Sequence, residues 1–405
     1  MKTCRILSLI LALAFLWSTS AAMAESQEET TYTYDDFEYV LLEDGTAEIT
    51  DYTGEATTLE IPDALDGKTV SSIGRYAFSD CSALTDISIP DSVTEIGERA
   101  FLNCTSLADI IIPNSVIKIG DYGFAGCSSL SDITLPNSLT EIGECAFTGC
   151  DTLREITIPD SVTEIMANPF LCCNSLTDIY VSADHPYFAG IDGVLFRKTD
   201  KALIAYPARK QDASYTIPEG ITSIGACAFS YCAYLTDVTV PDSVTEIGDY
   251  AFSSCSSLTN IIIPDSVTWV GIDAFSSCSS LTNISIPDSV VKISDGAFYY
   301  CSSLTDITIP DSVTEIGDSA FCCCEALTGV TIPDSVTKIG SFAFAYCYFM
   351  TDALIPDSVT EIGDGVFDFC DNLTLTVSRD SYAAQYAKEN NLKYTYPDAN
   401  DWLTN

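Results

Sequence analysis

The chain has one histidine in 405 residues, four methionines, three tryptophans, and 17 basic residues against 58 acidic ones, for a formal net charge of −41. These scarcities exclude whole classes of protein. A lone histidine, His185, rules out paired-histidine metal sites such as H-E-x-x-H, and the sequence has neither a G-x-S-x-G elbow nor a Gly-Lys phosphate loop. A cysteine with His185 as its base is the one formal catalytic pair, and His185-Pro186 reads instead as a loop corner. The chain is therefore read as non-catalytic, without cofactor or metal. Its acidic excess repels nucleic acid and anionic lipid and favours basic partners. Past the amino terminus no uncharged apolar run reaches the roughly 18 residues of a membrane helix, so membrane insertion is not expected.

Residues 1–24 read as an export signal. Lys2 and Arg5 precede an apolar stretch over 6–17, and Ala22, Met23 and Ala24 form a small-x-small cleavage pattern of bacterial type. The mature chain, from Glu25, is expected to be secreted and to associate with the cell surface. Of 18 cysteines Cys4 leaves with the signal, and the remaining 17 are an odd number, so at least one is unpaired within a monomer.

What the chain has in abundance is repetition. Cysteines fall at Cys81, Cys104, Cys127, Cys150 and Cys173, then at Cys232, Cys255, Cys278, Cys301, Cys324, Cys347 and Cys370, spaced by 23 residues within each group. Phenylalanine keeps the same interval, from Phe78 to Phe170 and from Phe229 to Phe367, and 12 of the 16 prolines form a third column from Pro62 and Pro90 to Pro356. Within a unit, the alternation Ile87, Ser88, Ile89 is that of a strand with one buried face, which Pro90 ends by lacking an N–H. Asp91 and Ser92 turn the chain. Residues 93–96 form a second extended piece, and Gly97 allows the bend that returns Ala100 and Phe101 to the interior. One unit buries too few side chains to offset the entropy of ordering it, so stability must come from stacking.

The pattern C-x-x-L-x-x-I-x-I-P-x-x-V-x-x-I-G-x-x-A-F-x-x-C resembles the treponemal-type leucine-rich repeat of BspA-like bacterial surface proteins, over about residues 36–396. The resemblance implies a mainly β, curved leucine-rich-repeat solenoid of 23-residue coils with a parallel β-sheet, short helical or irregular segments and a cap at each end. It also implies export and an adhesin-like role, with no shared ligand. Similar DGVLF inserts interrupt related arrays.

The domains read as follows: an acidic, Thr-rich linker over 25–35, an amino-terminal cap over 36–72 and a first repeat block over 73–181. A β-hairpin insertion over 182–217, a second block over 218–372, a carboxy-terminal cap over 373–396 and a tail over 397–405 follow. The cap is expected to contain a helix over 381–390, started by Asp380 or Ser381 and packed through Tyr382, Tyr386 and Ala387. Gly193, Val194, Leu195 and Phe196 pair with Ala202, Leu203, Ile204 and Ala205 in the hairpin. It concentrates Arg197, Lys198, Lys201, Arg209 and Lys210 beside His185.

Neighbouring coils about 4.8 Å apart would bring successive cysteines within bonding range, but stacked side chains point the same way, so the column reads as buried thiols. Asp86, Asp109, Asp132, Glu155, Asp178, Asp237, Asp306 and Asp352 form an acidic column, read as solvated carboxylates with calcium bridging as the alternative. Trp269 stands where most coils have Glu or Lys, and Tyr231, Tyr300, Tyr346 and Phe369 share a slot two residues after the core phenylalanine. They are candidate ligand contacts, with cover of the convex side as the alternative. The basic hairpin is a second candidate contact, with a structural bulge as its alternative. The expected role is a monomeric binding protein for a host or bacterial surface protein or glycan, and the competing class is an envelope spacer.

Overall fold

The computed structural model describes residues 30–397. The expected signal, the linker before residue 30 and the tail beyond residue 397 lie outside them. The described chain is almost entirely β, with the single helix Tyr382–Glu389 near its end.

Each coil runs through three stretches, and each stretch is hydrogen-bonded to its counterpart one coil on. In the first, Asp86–Ser88 pairs in parallel with Asp109–Ile111, residue 86 opposite 109. Ile87 and Ile89 face the core and Ser88 faces water. In the second, Glu95–Ile96 pairs in parallel with Lys118–Ile119, again with isoleucine inward. The expected single sheet is thus two rows of parallel strands along the stack, the first thinning to isolated bridges at Ile111 with Thr134 and at Ser285 with Thr308. The third stretch is an arc without strands. Arg99, Phe101 and Asn103 there donate backbone N–H groups to the carbonyls of Asp121, Gly123 and Ala125 at 2.9, 2.8 and 2.7 Å. Two left-handed residues four apart, Arg99 (φ 56°) and Asn103 (φ 59°) in this coil, aim alternate peptides along the stack.

Inside, the phenylalanines stack face to face along each block, with centroid separations between 4.8 Å (Phe229 and Phe252) and 5.8 Å (Phe344 and Phe367). That is close to the strand spacing of a sheet, so one ring per coil fills the centre without gaps. The cysteines of the 23-residue column lie beside them as free thiols, buried from Cys104 to Cys370. Each donates to a carbonyl of the preceding coil, as Cys104 Sγ does to Phe78 O at 3.0 Å and Cys255 Sγ to Phe229 O at 3.0 Å. A small apolar side chain that also satisfies a buried carbonyl explains the column. Burial pushes Cys81, at the exposed start, up to about 11, and Cys255 and Cys301 up to about 12. Thiols held protonated in this way serve packing.

Gly97 has a different reason from the bend the sequence suggested. Its φ is not in the left-handed region. A Cβ there would lie 2.9 Å from Gly74 C and 3.0 Å from Ile73 O of the preceding coil, and at Gly120 it would lie 2.7 Å from Glu98 N. Glycine is required because two backbones touch. At ten such glycines the N–H reaches the preceding coil's isoleucine or leucine carbonyl, or its equivalent, at 2.8 to 2.9 Å. Met166 breaks the column and its corresponding bond lengthens to 3.3 Å. Ser294 breaks it too, placing its hydroxyl on Val270 O, and the second sheet is interrupted between Trp269–Val270 and Lys292–Ile293.

A second acidic column, unnoticed in the sequence, follows the glycine position of several coils, including the one where Ser294 replaces glycine. Asp121, Asp249, Asp295 and Asp318 each accept the backbone N–H one coil on through Oδ1, at 2.7 to 3.0 Å. Asp273, one residue further along in its own coil, sits in the left-handed conformation with φ 51°. Burial raises its carboxyl to about 6, with Asp295 and Asp249 adding to the rise and a hydrogen bond with Tyr250 opposing it.

The amino-terminal cap starts earlier than expected, inside the segment read as linker. Tyr32–Tyr34, Phe37–Leu41 and Ala47–Tyr52 form an antiparallel sheet, with Tyr32 stacked on Tyr39 at 5.3 Å. It also ends earlier. Thr58–Glu60 already pairs with Asp86–Ser88, and Lys68–Ile73 with Glu95–Ile96, so residues 58–73 belong to the first coil. Five extra residues between Pro62 and Val70, taken up by the pairing of Ala64–Leu65 with Lys68–Ile73, hid the period. At the other end Ser381 caps the helix by accepting Ala384 N–H at 3.1 Å. Ala383, Tyr386 and Ala387 are buried, whereas Tyr382, expected to pack, is 46% exposed.

The insertion is a three-stranded antiparallel sheet, Phe188–Ile191, Val194–Arg197 and Ala202–Ala205, one strand more than the expected hairpin. Its strands are apolar on both faces because it is a wall between two cores. Val194, Phe196 and Leu203 pack into the core of the second block, and Leu195, Ala202 and Ile204 into that of the first.

Two predictions follow from coil contact. Gly120→Ala should lower the unfolding free energy in urea by about 1–3 kcal/mol, the usual result of overpacking against backbone. The folded state holds the Asp273 proton up to about pH 6, whereas an unfolded aspartate releases it near pH 4. The folded chain therefore binds more protons across that window, and this group's contribution falls as pH rises through it. Asp273→Asn should flatten part of the decline in Tm between pH 4 and pH 6, read by differential scanning fluorimetry.

Candidate functional site

The residues singled out from sequence fall on three different parts of the surface. Trp269, 42% exposed, lies on the second sheet opposite Glu246, at the edge where Ser294 interrupts pairing. Tyr231 lies on the arc of the first coil after the insertion. Tyr300, Tyr346 and Phe369 lie on the arc near the carboxy-terminal end, and all four arc residues are left-handed, with φ between 57° and 63°. The slot two residues after the core phenylalanine thus places side chains outside the coil on the arc, while Trp269 projects from a strand.

The last three come together with neighbours that the sequence did not single out. Tyr346 and Phe369 stack at 4.4 Å, and Tyr348 meets Tyr346 edge-on at 6.2 Å. Tyr299, Tyr300 and Tyr346 pack over Cys322, Cys323 and Ala345. Around them Phe342, Tyr348, Phe349 and Phe369 are 44%, 43%, 65% and 56% exposed. The sequence signal was available. Tyr348, Phe349 and Met350 replace the Ser-Ser-Leu that follows Cys255, Cys278 and Cys301, and Phe342 occupies the other left-handed slot of its coil. The result is an aromatic surface, rigid because its backbone is hydrogen-bonded to the next coil, as Phe342 N is to Asp364 O and Tyr346 N to Asp368 O.

The basic residues of the insertion are mostly engaged within it. Arg197 forms a fork with Asp200, Nη2 to Oδ2 at 2.7 Å, and its Nη1 donates to Ile165 O at 3.3 Å. Lys198 Nζ donates to His185 O at 2.6 Å, Lys210 pairs with Asp212 at 3.3 Å, and Arg209 lies over the Tyr234 ring and donates to its hydroxyl. Lys201 stands exposed in the turn before Ala202–Ala205. Buried His185 accepts the N–H groups of Tyr187 and Phe188 at Nδ1 and donates from Nε2 to Pro159 O at 3.0 Å. Both nitrogens are spent and burial lowers its pKa, so the ring is a corner brace and not a base.

Where the insertion meets the first block, a cleft of about 560 Å³ opens, lined by Thr163, Glu164, Ile165, Met166, Glu144 and Arg197 among others. Among the described residues no three His, Cys, Asp or Glu side chains gather as metal ligands, and no helix is long and apolar enough to cross a membrane.

Comparison with known proteins agrees with this architecture. The model of the BspA-type leucine-rich repeat region matches in six copies, over residues 51–190, 209–302 and 270–387. No curated protein matches the chain. Among solved structures, a leucine-rich repeat protein of Eubacterium ventriosum is 28% identical with a TM-score of 0.72, over 84% of this chain and 95% of its own. A leucine-rich cell surface protein of Faecalibacterium prausnitzii is 30% identical with a TM-score of 0.52, over 88% of this chain and 96% of its own. The pneumococcal vaccine antigen PcpA, 20% identical with a TM-score of 0.60 over 91% of this chain and 98% of its own, shares the fold. With the repeat model covering well over half of its length, the chain belongs to the BspA-type leucine-rich repeat family.

Proposed function

We propose that the protein is an exported, non-catalytic binding protein of the cell surface that holds a protein or glycan ligand on the aromatic end of its arc. The observation that carries this reading is the contact of Tyr346 with Phe369 and Tyr348, in two adjoining coils that also expose Phe342 and Phe349. Aromatic rings held by a hydrogen-bonded backbone present large contact area at little entropic cost, which suits them as anchors. The export signal read over residues 1–24 and the surface-protein family support the location. The buried thiols and the fully bonded His185 support a role without catalysis.

The test is an array of glycans and extracellular-matrix proteins probed with residues 25–405, followed by titration of the strongest hit. Both Phe349→Ser and Phe369→Ser remove exposed rings, so the circular dichroism spectrum should be unchanged while affinity drops by about tenfold or more each, the size of a contact-centre loss. Unchanged affinity in the double variant would refute the assignment.

A further inference from the structure

We propose that the cleft beside the insertion is a strand-acceptor site, taking an extended segment of a partner protein in which a lysine or arginine precedes a β-branched apolar residue. The strand Glu164–Ile165 ends the amino-terminal sheet and is paired on one side only, with Glu141–Ile142. The next strand in the stack cannot close the gap, because Ala202–Ala205 is already flanked by Val194–Arg197 and Ser223–Ile224. Between them lies the cleft of about 560 Å³, within the range of ordinary ligand sites.

The edge shows what it lacks. In the intact coils a strand's isoleucine carbonyl receives an N–H from the following coil, as Ile142 O receives Met166 N–H. At Ile165 that donor is replaced by the Arg197 guanidinium at 3.3 Å, a side chain standing in for a missing strand. An incoming backbone N–H would take over Ile165 O and leave Arg197 with Asp200, where it is already held by a fork. Strand addition to a bare edge is a recurrent mode of peptide capture.

Charge sets the composition of the occupant. The cleft carries Glu164 and Glu144, the latter held above the ordinary carboxylate range by partial burial and by Asp121. Its cation, Arg197, is neutralised by Asp200. In the stacked Glu-Ile and Lys-Ile strands of both the amino-terminal and the carboxy-terminal sheets, a neighbouring lysine pairs with such glutamates. Lys118 sits between Glu95 and Glu141 at 3.7 and 3.4 Å, and Lys338 pairs with Glu361 at 2.9 Å. The protein's own coils therefore supply the pattern of the segment that would seat next to Glu164–Ile165.

The probe is a fluorescent peptide Ser-Val-Thr-Lys-Ile-Gly-Ser, with Ser-Val-Thr-Glu-Ile-Gly-Ser as its counterpart, titrated into residues 25–405 by anisotropy. The lysine peptide should saturate and protect the Ile165 amide from hydrogen exchange, and the glutamate peptide should bind about tenfold more weakly. E164K and E164Q should both weaken the lysine peptide, while E246K, on a strand paired on both sides, should not. Absence of binding, equal binding of the two peptides, or equal effects of E164K and E246K would overturn the proposal. Loss of glycan or matrix binding in the Phe349→Ser and Phe369→Ser variants reports on the other surface, so the two readings fail separately.

Discussion

Backbone contact between successive coils is the constraint from which the rest of the molecule follows. Most stretches of a coil spend their N–H and C=O groups on the coil beside them, and a buried peptide left without that partner would cost as much as the contact provides. The glycine column marks how close the contact is: at Gly340 an added Cβ would stand 2.5 Å from backbone atoms of the preceding coil. Cysteine, phenylalanine and aspartate columns serve the same end by different chemistry. The thiols and carboxylates tie one coil to the next, and the rings fill the centre at the interval the backbone dictates.

Exceptions to that constraint shape the surface. Where Ser294 replaces glycine the second sheet parts, and Trp269 becomes an edge residue. Where the insertion enters, two cores form instead of one, separated by a sheet apolar on both faces. Asn168 closes the arc at that junction, accepting Phe170 N–H and donating to Cys227 O 59 residues away at 2.8 Å. The stack thus tolerates a 36-residue interruption because single side chains replace the ladder bonds that it removes.

Much of this was legible in the residues. The period, the buried cysteine and phenylalanine columns, the two extended pieces of each coil, the hairpin strands and the terminal helix all follow from spacing and alternation. Other features were hidden for physical reasons. Gly97 looked like a bend because sequence shows a glycine's freedom and not the backbone pressed against it. The first coil was taken for a cap because five inserted residues moved Val70 off the beat. The insertion's positive charge suggested a contact surface, but Arg197 and Lys210 are paired to Asp200 and Asp212 nearby in the chain. Aromatic residues were visible singly as Tyr300, Tyr346 and Phe369. That Phe342 joins them depends on which arc positions turn left-handed, which the pattern of apolar residues does not show, whereas Tyr348 and Phe349 were visible as departures from Ser-Ser-Leu.

Excising one repeat, residues 252–274, tests the central claim most directly, with a parallel excision of 252–273 as its control. If coils are interchangeable rungs held by their neighbours, the 23-residue deletion leaves Phe229 facing the former Phe275, and the chain unfolds in one cooperative transition at slightly lower denaturant. The 22-residue deletion shifts every column by one position and should lose that transition. Equal stability of the two deletions, or a stable fold in the isolated 252–274 peptide, would contradict the account.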